Sequence, residues 1–313
     1  MSDFPIVFDH LRKEYRGFVA VDDLSLEIRR NSFTGLLGPN GAGKSTSLKI
    51  ATNLISPTSG HVYINGLDVA KDPKAALDGV GTVVETPEFY MYLSPNETFG
   101  YIGEILGMTR ESIASETSAI LEKIKMSDWA DKRIGTFSKG MRQRIALGLA
   151  LLDSPDVVIL DEPTSGLDPR GVVEIREILR NIRRDNRGLT VLMSSHMMHE
   201  VSDLCDRIAI VNRGALVVED EFEKIIEGAD TRVLMVRPLH EPDDRMVDEI
   251  SALPDVVSAE RSGNVILVRF KGDLEKVAAF YRGVADLDFP VCGMSESYNA
   301  LENRYLELIK ESR

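Results

Sequence analysis

LDEPTSGLD, residues 160–168, closes the apolar run Val157-Val158-Ile159 and ends it in two adjacent carboxylates, Asp161 and Glu162. A buried strand delivers acids to its C-terminal tip in this way. Ligands of open parallel sheets bind outside such tips. One acid can hold a metal while its neighbour reaches past it to activate water. Asp168 closes a second tight loop six residues after Glu162. The stretch therefore predicts an α/β fold with its chemistry on strand ends.

A second motif agrees with it. Residues 38–46 read GPNGAGKST and satisfy G-x-x-x-x-G-K-[ST], with Gly38, Gly43, Lys44 and Ser45 at the fixed positions. A strand-like run (33–37) precedes it and a helix-like run (46–54) follows, which is the context the motif needs. Glycines let successive backbone N–H groups turn inward on phosphates, and the helix N-terminus adds its positive end. Lys44 is expected to reach the β- and γ-phosphates, and Ser45 to ligate magnesium together with Asp161. A P-loop alone serves kinases, GTPases, helicases and transport ATPases alike.

The residues between the two motifs narrow the choice. Residues 137–144 read FSKGMRQR, ahead of an apolar helical stretch (145–152) that Ser154-Pro155 stops. Ser138 sits where a helix N-cap belongs. A serine cap, a flexible Gly140 and a helix dipole form a second anion site, able to grip a γ-phosphate from its other side. Ser138 lies 23 residues before Asp161.

With these motifs in this order, the chain resembles the nucleotide-binding subunit of an ATP-binding cassette (ABC) transporter over about residues 4–225. FSKGM occupies the place of that family's LSGGQ signature. Ser138 and Gly140 match, whereas Phe137, Lys139 and Met141 depart, as in bacterial exporter ATPases. The resemblance implies ATP and Mg2+ as ligands. It places Gly38, Asn40, Gly41, Gly43, Lys44, Ser45 and Thr46 around the phosphates, and Ser138, Gly140, Met141 and Asp168 at the interface with a second subunit. Glu162 becomes the general base. His196, in VLMSSHMMHEV, becomes the γ-phosphate switch 34 residues after Glu162; His199 reads as a surface residue. Tyr15 is expected to stack on adenine, with Phe18 as runner-up. Where the family usually has a metal-touching glutamine, VGTVVETPEFY places Glu85. Glutamate can still ligate magnesium; the alternative is a solvated Glu85, with Glu88 or a shifted residue in its place.

The 313 residues suffice for about two domains, and the formal charge of −13 speaks against a surface that tracks nucleic acid. No apolar run approaches the ~18 residues of a membrane span, and no signal peptide is read at the N-terminus. Cys205 and Cys292 are expected to be reduced core thiols. Residues 1–228 form the expected ATPase domain, with a helical subdomain at about 88–153. There Ser94-Pro95-Asn96-Glu97 is a capping box, and Ile113, Ile120, Leu121 and Ile124 carry helical spacing. Phe89, Tyr90, Met91 and Tyr92 form an apolar-aromatic cluster beside Glu85, either subdomain core or a contact for a partner.

Residues 229–313 form a separate module. Its order βαββαβ suggests a small ferredoxin-like α+β unit. Leu274, Val277, Ala278 and Tyr281 mark one of its helices, and a last helix carries Tyr298, Leu301, Tyr305, Leu308 and Ile309 on one face. One P-loop and one signature per chain imply a homodimer or a heterodimer with a related chain. The family also implies an integral membrane transport subunit and a cytoplasmic location on the inner membrane face, with export favoured. A soluble ABC ATPase acting on ribosomes, DNA or protein assemblies, and an importer ATPase, are the alternatives. The cargo is not written in this chain.

Overall fold

Three strands bury every side chain: β3 (Phe33–Leu37), β8 (Thr190–Ser195) and β9 (Arg207–Asn212). Continuous burial of this kind belongs to parallel sheets covered on both faces. The computed structural model describes residues 3–185, 188–227 and 232–296. The chain divides into two compact units, Met1–Phe222 and Glu223–Arg313.

In the first unit β1 (Ile6–Tyr15) and β2 (Phe18–Ile28) form a hairpin. Arg16 (φ 42°) and Gly17 (φ 87°) turn it with two positive dihedrals, the twist that suits a two-residue loop. After β3 come α1 (Lys44–Ala51), β4 (Ser59–Ile64), β5 (Leu67–Asp68), α2 (Pro73–Ala76) and β6 (Val80–Val83). The helical part holds α3 (Pro95–Ile105), α4 (Arg110–Lys123) and α5 (Lys139–Leu149). Then follow β7 (Val157–Asp161), α6 (Pro169–Asp185), β8, α7 (Met198–Leu204), β9 and β10 (Ala215–Glu221), and α8 (Phe222–Glu227) begins at the last residue of this unit.

An antiparallel sheet runs β2-β1-β4-β5, and a six-stranded sheet runs β10-β9-β3-β8-β7-β6. In the larger sheet all neighbours are parallel except β9 and β10. The C-terminal tips of β3, β8, β7 and β6 therefore share one edge. The register sets Asp161 beside Ser194 and Leu37 beside Ser195. A core that includes Phe8, Leu24, Leu48, Ile64, Ile159, Leu192 and Ala209 joins both sheets and α1.

The capping box of α3 is formed. Ser94 N donates to Glu97 Oε2 at 2.7 Å and Glu97 N to Ser94 Oγ at 3.3 Å. Ile113, Ile120, Leu121 and Ile124 are buried, as their spacing requires. Tyr90, Met91 and Tyr92 are exposed and so are not subdomain core.

The second unit contains β11 (Arg232–Pro238), α9 (Asp244–Ser251), β12 (Val256–Ser262), β13 (Val265–Phe270), α10 (Leu274–Ala285) and β14 (Val291–Glu296), in sheet order β12-β13-β11-β14 with every pair antiparallel. This is the split βαβ arrangement. The helix read at Leu274, Val277, Ala278 and Tyr281 forms as α10, and one expectation, a core position for Cys292, is corrected. On α10 the buried face is Val277, Phe280 and Val284, while Leu274 and Ala278 point outward, because the core lies on the Phe280 stripe. Cys292 is exposed: a register shift between Arg237 and Pro238 puts it on the outer side of β14, whereas Cys205 is buried as expected. The helix read over 298–309 lies outside the described residues.

Candidate active site

The phosphate motif forms a turn that only its glycines allow. Gly43 has φ 97°, and a Cβ there would lie 2.5 Å from the Ala20 carbonyl oxygen; at Gly38 it would lie 2.4 Å from that of Val211. The helix starts at Lys44, two residues earlier than its apolar pattern suggests, so Lys44 and Ser45 stand in its first turn. Lys44 is 5% exposed. Its Nζ donates to Gly38 O at 2.8 Å and to Pro39 O at 3.1 Å, and lies 4.0 Å from Glu162 Oε1. Burial pushes its pKa down, against the opposing pull of Glu162 and Asp161. A desolvated ammonium held by loop carbonyls is poised to exchange them for phosphate oxygens. Asn40 and Gly41 are exposed at the tip of the cradle, and Thr46 is half-buried on α1.

Asp161 closes the cradle from β7. Its Oδ1 accepts from Ser45 Oγ at 3.0 Å and from Ser194 Oγ at 2.5 Å. Ser194 Oγ in turn accepts from Glu162 N at 2.9 Å. Glu162 takes a left-handed backbone, φ 43°, uncommon for a residue with a long side chain. That conformation is the kind of local strain functional sites hold. Its Oε1 lies 3.1 Å from His196 Nδ1. The tips of β3, β7 and β8 thus bring Lys44, Ser45, Asp161, Glu162 and His196 together.

Other expected residues stand apart from this cluster. Tyr15 is 45% exposed, with Lys13 Nζ 4.9 Å above its ring, and Phe18 is more exposed still. Ser138 caps α5, accepting from Met141 N at 3.2 Å, and a Cβ on Gly140 would meet nothing nearer than 3.9 Å. Asp168 caps α6 by accepting from Gly171 N at 2.9 Å. Glu85 also has a left-handed backbone, φ 71°, and its carboxylate pairs with Lys49 of α1. His199 is on the surface.

Two residues had no role in the sequence motifs, Ser194 and Lys49, and a third, Lys139 of the signature, had no partner assigned. Ser194 couples the two acids. Lys49 holds Glu85. Lys139 Nζ donates to Ser165 O at 3.1 Å and ties the start of α5 to the loop after β7. The alternation-free apolar strand 190–195 conceals the serine, and nothing in a linear pattern pairs residues 49 and 85.

Backbone amides curled around a desolvated lysine bind phosphate, and a carboxylate with a histidine beside it can act on water. Fold and site together define a P-loop nucleotide hydrolase. Residues 21–165 match the family described as ABC transporter. The ABC transporter ATP-binding protein YhcH of Bacillus subtilis (strain 168) is 33% identical over 306 residues, 97% of this chain and 95% of that protein. The bacitracin transport ATP-binding protein BcrA of Bacillus licheniformis is 36% identical over 215 residues, 69% of each chain. The lantibiotic transport ATP-binding protein SrtF of Streptococcus pyogenes is 34% identical over 214 residues, 68% of this chain and 90% of that one. Among solved structures, an ATP-binding subunit of an ABC transporter matches with TM-score 0.64 at 26% identity, covering 71% of this chain and 92% of that one. This chain belongs to the ATP-binding proteins of ABC transporters, and it is an ATPase.

Proposed function

We propose that two copies, or one copy and a related chain, close head to tail on two ATP molecules and drive export through a separate membrane subunit. One observation carries the dimer. Among the described residues, no hydrogen bond or ion pair joins 138–141 to 38–46, and the capped start of α5 opens to solvent. A facing copy supplies that helix N-terminus, Ser138, Gly140 and Met141 to the γ-phosphate held by the first chain. Asp168 lies in the loop that faces the partner.

Within one chain, Gly38, Asn40, Gly41, Gly43 and Thr46 shape the cradle, Lys44 neutralises the β- and γ-phosphates, and Tyr15 stacks on adenine. The adjacent hydroxyl and carboxylate oxygens of Ser45 and Asp161 are hard donors of the kind Mg2+ takes, with water and phosphate completing its shell. Bound there, the ion would neutralise phosphate charge. Glu85 reaches this position on leaving Lys49. Glu162 accepts the proton of the attacking water and His196 contacts the γ-phosphate. Loss of that phosphate removes the bridge between the chains, and the dimer reopens.

Export is supported by the S-K-G-M signature, by Glu85 and by relatives named for bacitracin and lantibiotic transport. No helix among the described residues is long and apolar enough to cross a membrane. The exposed cluster Tyr90, Met91, Tyr92 and Tyr101, with the Tyr90 ring tilted against Tyr92 and edge-on to Tyr101 at centroid distances of 5.8 and 6.0 Å, is the surface for the membrane subunit. On this reading the protein works on the cytoplasmic face of the membrane. Residues 229–313 serve as its accessory domain.

Purification of the tagged full chain from detergent-solubilised native membranes, followed by mass spectrometry, tests the reading. A stoichiometric multi-span membrane protein is expected. Recovery of ribosomal or DNA-associated proteins from a soluble pool instead overturns the transport role. A second test addresses Glu85. The Lys49–Glu85 pair is largely exposed and contributes at most about 1 kcal/mol. Glu85→Gln is therefore expected to keep the melting temperature and ATPase rate while changing the number of ATP molecules hydrolysed per cargo moved. Unchanged transport would show that the charge is incidental.

A further inference from the structure

Glu200 is 1% exposed, on the first turn of α7, and has no role in the site described above, although it lies in the stretch that carries His196. Both of its carboxylate oxygens are occupied by hydroxyl donors from different elements. Thr164 Oγ1 donates to Oε1, and Ser195 Oγ donates to Oε2 at 2.8 Å. Thr164 and Ser195 are buried as well. Ser195 Oγ also accepts from Met197 N at 2.9 Å.

The neighbours of these groups give the arrangement its meaning. Thr164 lies two residues beyond Glu162, in the loop that leaves β7. Ser195 and Met197 flank His196. Among the described residues the Glu162 and His196 side chains meet only at their tips, 3.1 Å apart, and both are solvent-accessible. A side-chain hydroxyl in each of the two loops, Thr164 in one and Ser195 in the other, is bound to the same buried carboxylate. Carboxylates accept only, so a group with two hydroxyl donors holds both loops in one arrangement.

We propose that Glu200 is a positioning residue of the hydrolytic step, registering the Glu162 loop against the His196 loop so that the two side chains meet the γ-phosphate and its attacking water together. The inference rests on the roles given to Glu162 and His196 above. Small misplacement of a catalytic group can cost about a hundredfold in rate, while the cradle around Lys44 has no bond to Glu200 and is untouched.

Glu200→Gln keeps the shape but loses one acceptor oxygen, and Glu200→Ala loses both. Turnover of the full-length chain is expected to fall in that order, reaching about 10- to 100-fold for Glu200→Ala, with ATP affinity in binding titrations changed less than about twofold. Thr164→Val and Ser195→Ala each remove one donor with little change in volume and should give intermediate losses, which covers the case in which Glu200→Ala does not fold. The decisive comparison adds Glu200→Gln to Glu162→Gln. A residue acting through Glu162 costs little more once Glu162 is gone, because groups that work as a unit are not additive. Multiplied losses, or parallel falls in affinity and melting temperature, overturn the proposal and leave a merely structural carboxylate. Full turnover in Glu200→Gln, Thr164→Val and Ser195→Ala alike also overturns it, while an inactive Glu162→Gln leaves the assignment of Glu162 standing. Full turnover in Glu162→Gln removes the reading on which the proposal rests.

Discussion

Glu162→Gln is expected to cut ATP turnover about 10²–10⁴-fold, the usual worth of a general base, while ATP still binds. The amide has the shape of the carboxylate, so the hydrogen bond that the backbone N–H donates to Ser194 Oγ and the left-handed turn at φ 43° are retained. What disappears is an oxygen that can accept a proton from water. The substitution also removes a negative charge 4.0 Å from Lys44 Nζ, and with it part of the repulsion a γ-phosphate meets on arrival. ATP affinity should therefore hold or rise. With binding intact and hydrolysis blocked, the bridge between two chains persists, and a dimer accumulates in ATP that dissociates in ADP. Phosphate release under saturating ATP and the mass of the complex by light scattering check both halves. Normal turnover would sink the assignment of Glu162.

Lys44→Ala should abolish binding in place of chemistry. Truncating one member of a buried charged hydrogen-bonded pair costs about 2–5 kcal/mol, or roughly 30- to 4,000-fold in affinity for ATP. The nucleotide-free chain should scarcely notice. Lys44 is desolvated and its pKa is held down by that burial, so the apo protein carries an ammonium whose compensation by two carbonyls is partial. Its removal should leave the melting temperature close to the wild-type value, as expected of a residue kept for function at some cost in stability. Calorimetric titration with ATP and a thermal melt separate the two quantities. Loss of fold together with loss of binding would show that Lys44 is a structural residue.

Much of the site was legible in the chain because its requirements are local. A phosphate turn needs glycine where φ is positive and where a carbonyl passes at 2.5 Å, and Gly43 advertises that need. A helix start needs a cap, and Ser94 with Glu97, Ser138 and Asp168 meet it with bonds that span three residues. The acids of β7 follow an apolar run that can only be buried. Helix periodicity served less well where the core's position matters. On α10, Leu274 and Ala278 fit the spacing yet face solvent, and Phe280 and Val284 take the core. Alternation likewise could not place Cys292, because one register shift in β14 moves it to the outer face.

By itself, then, the sequence determined the P-loop, the paired acids, the capped signature helix and the family to which they belong. All of these depend on neighbours within about ten residues. Tertiary structure decided which distant groups share a site. Ser45 meets Asp161 across 116 positions only because α1 follows β3, and β8 lies between β3 and β7 in a parallel sheet. The same register places Ser194 against Asp161 and lets Glu200 join the loops of Glu162 and His196. The order of strands in a sheet arises from long-range packing of apolar faces, which a local pattern does not specify. The burial that makes Lys44 a poised cation and Glu200 a two-sided tie exists only once those faces have closed.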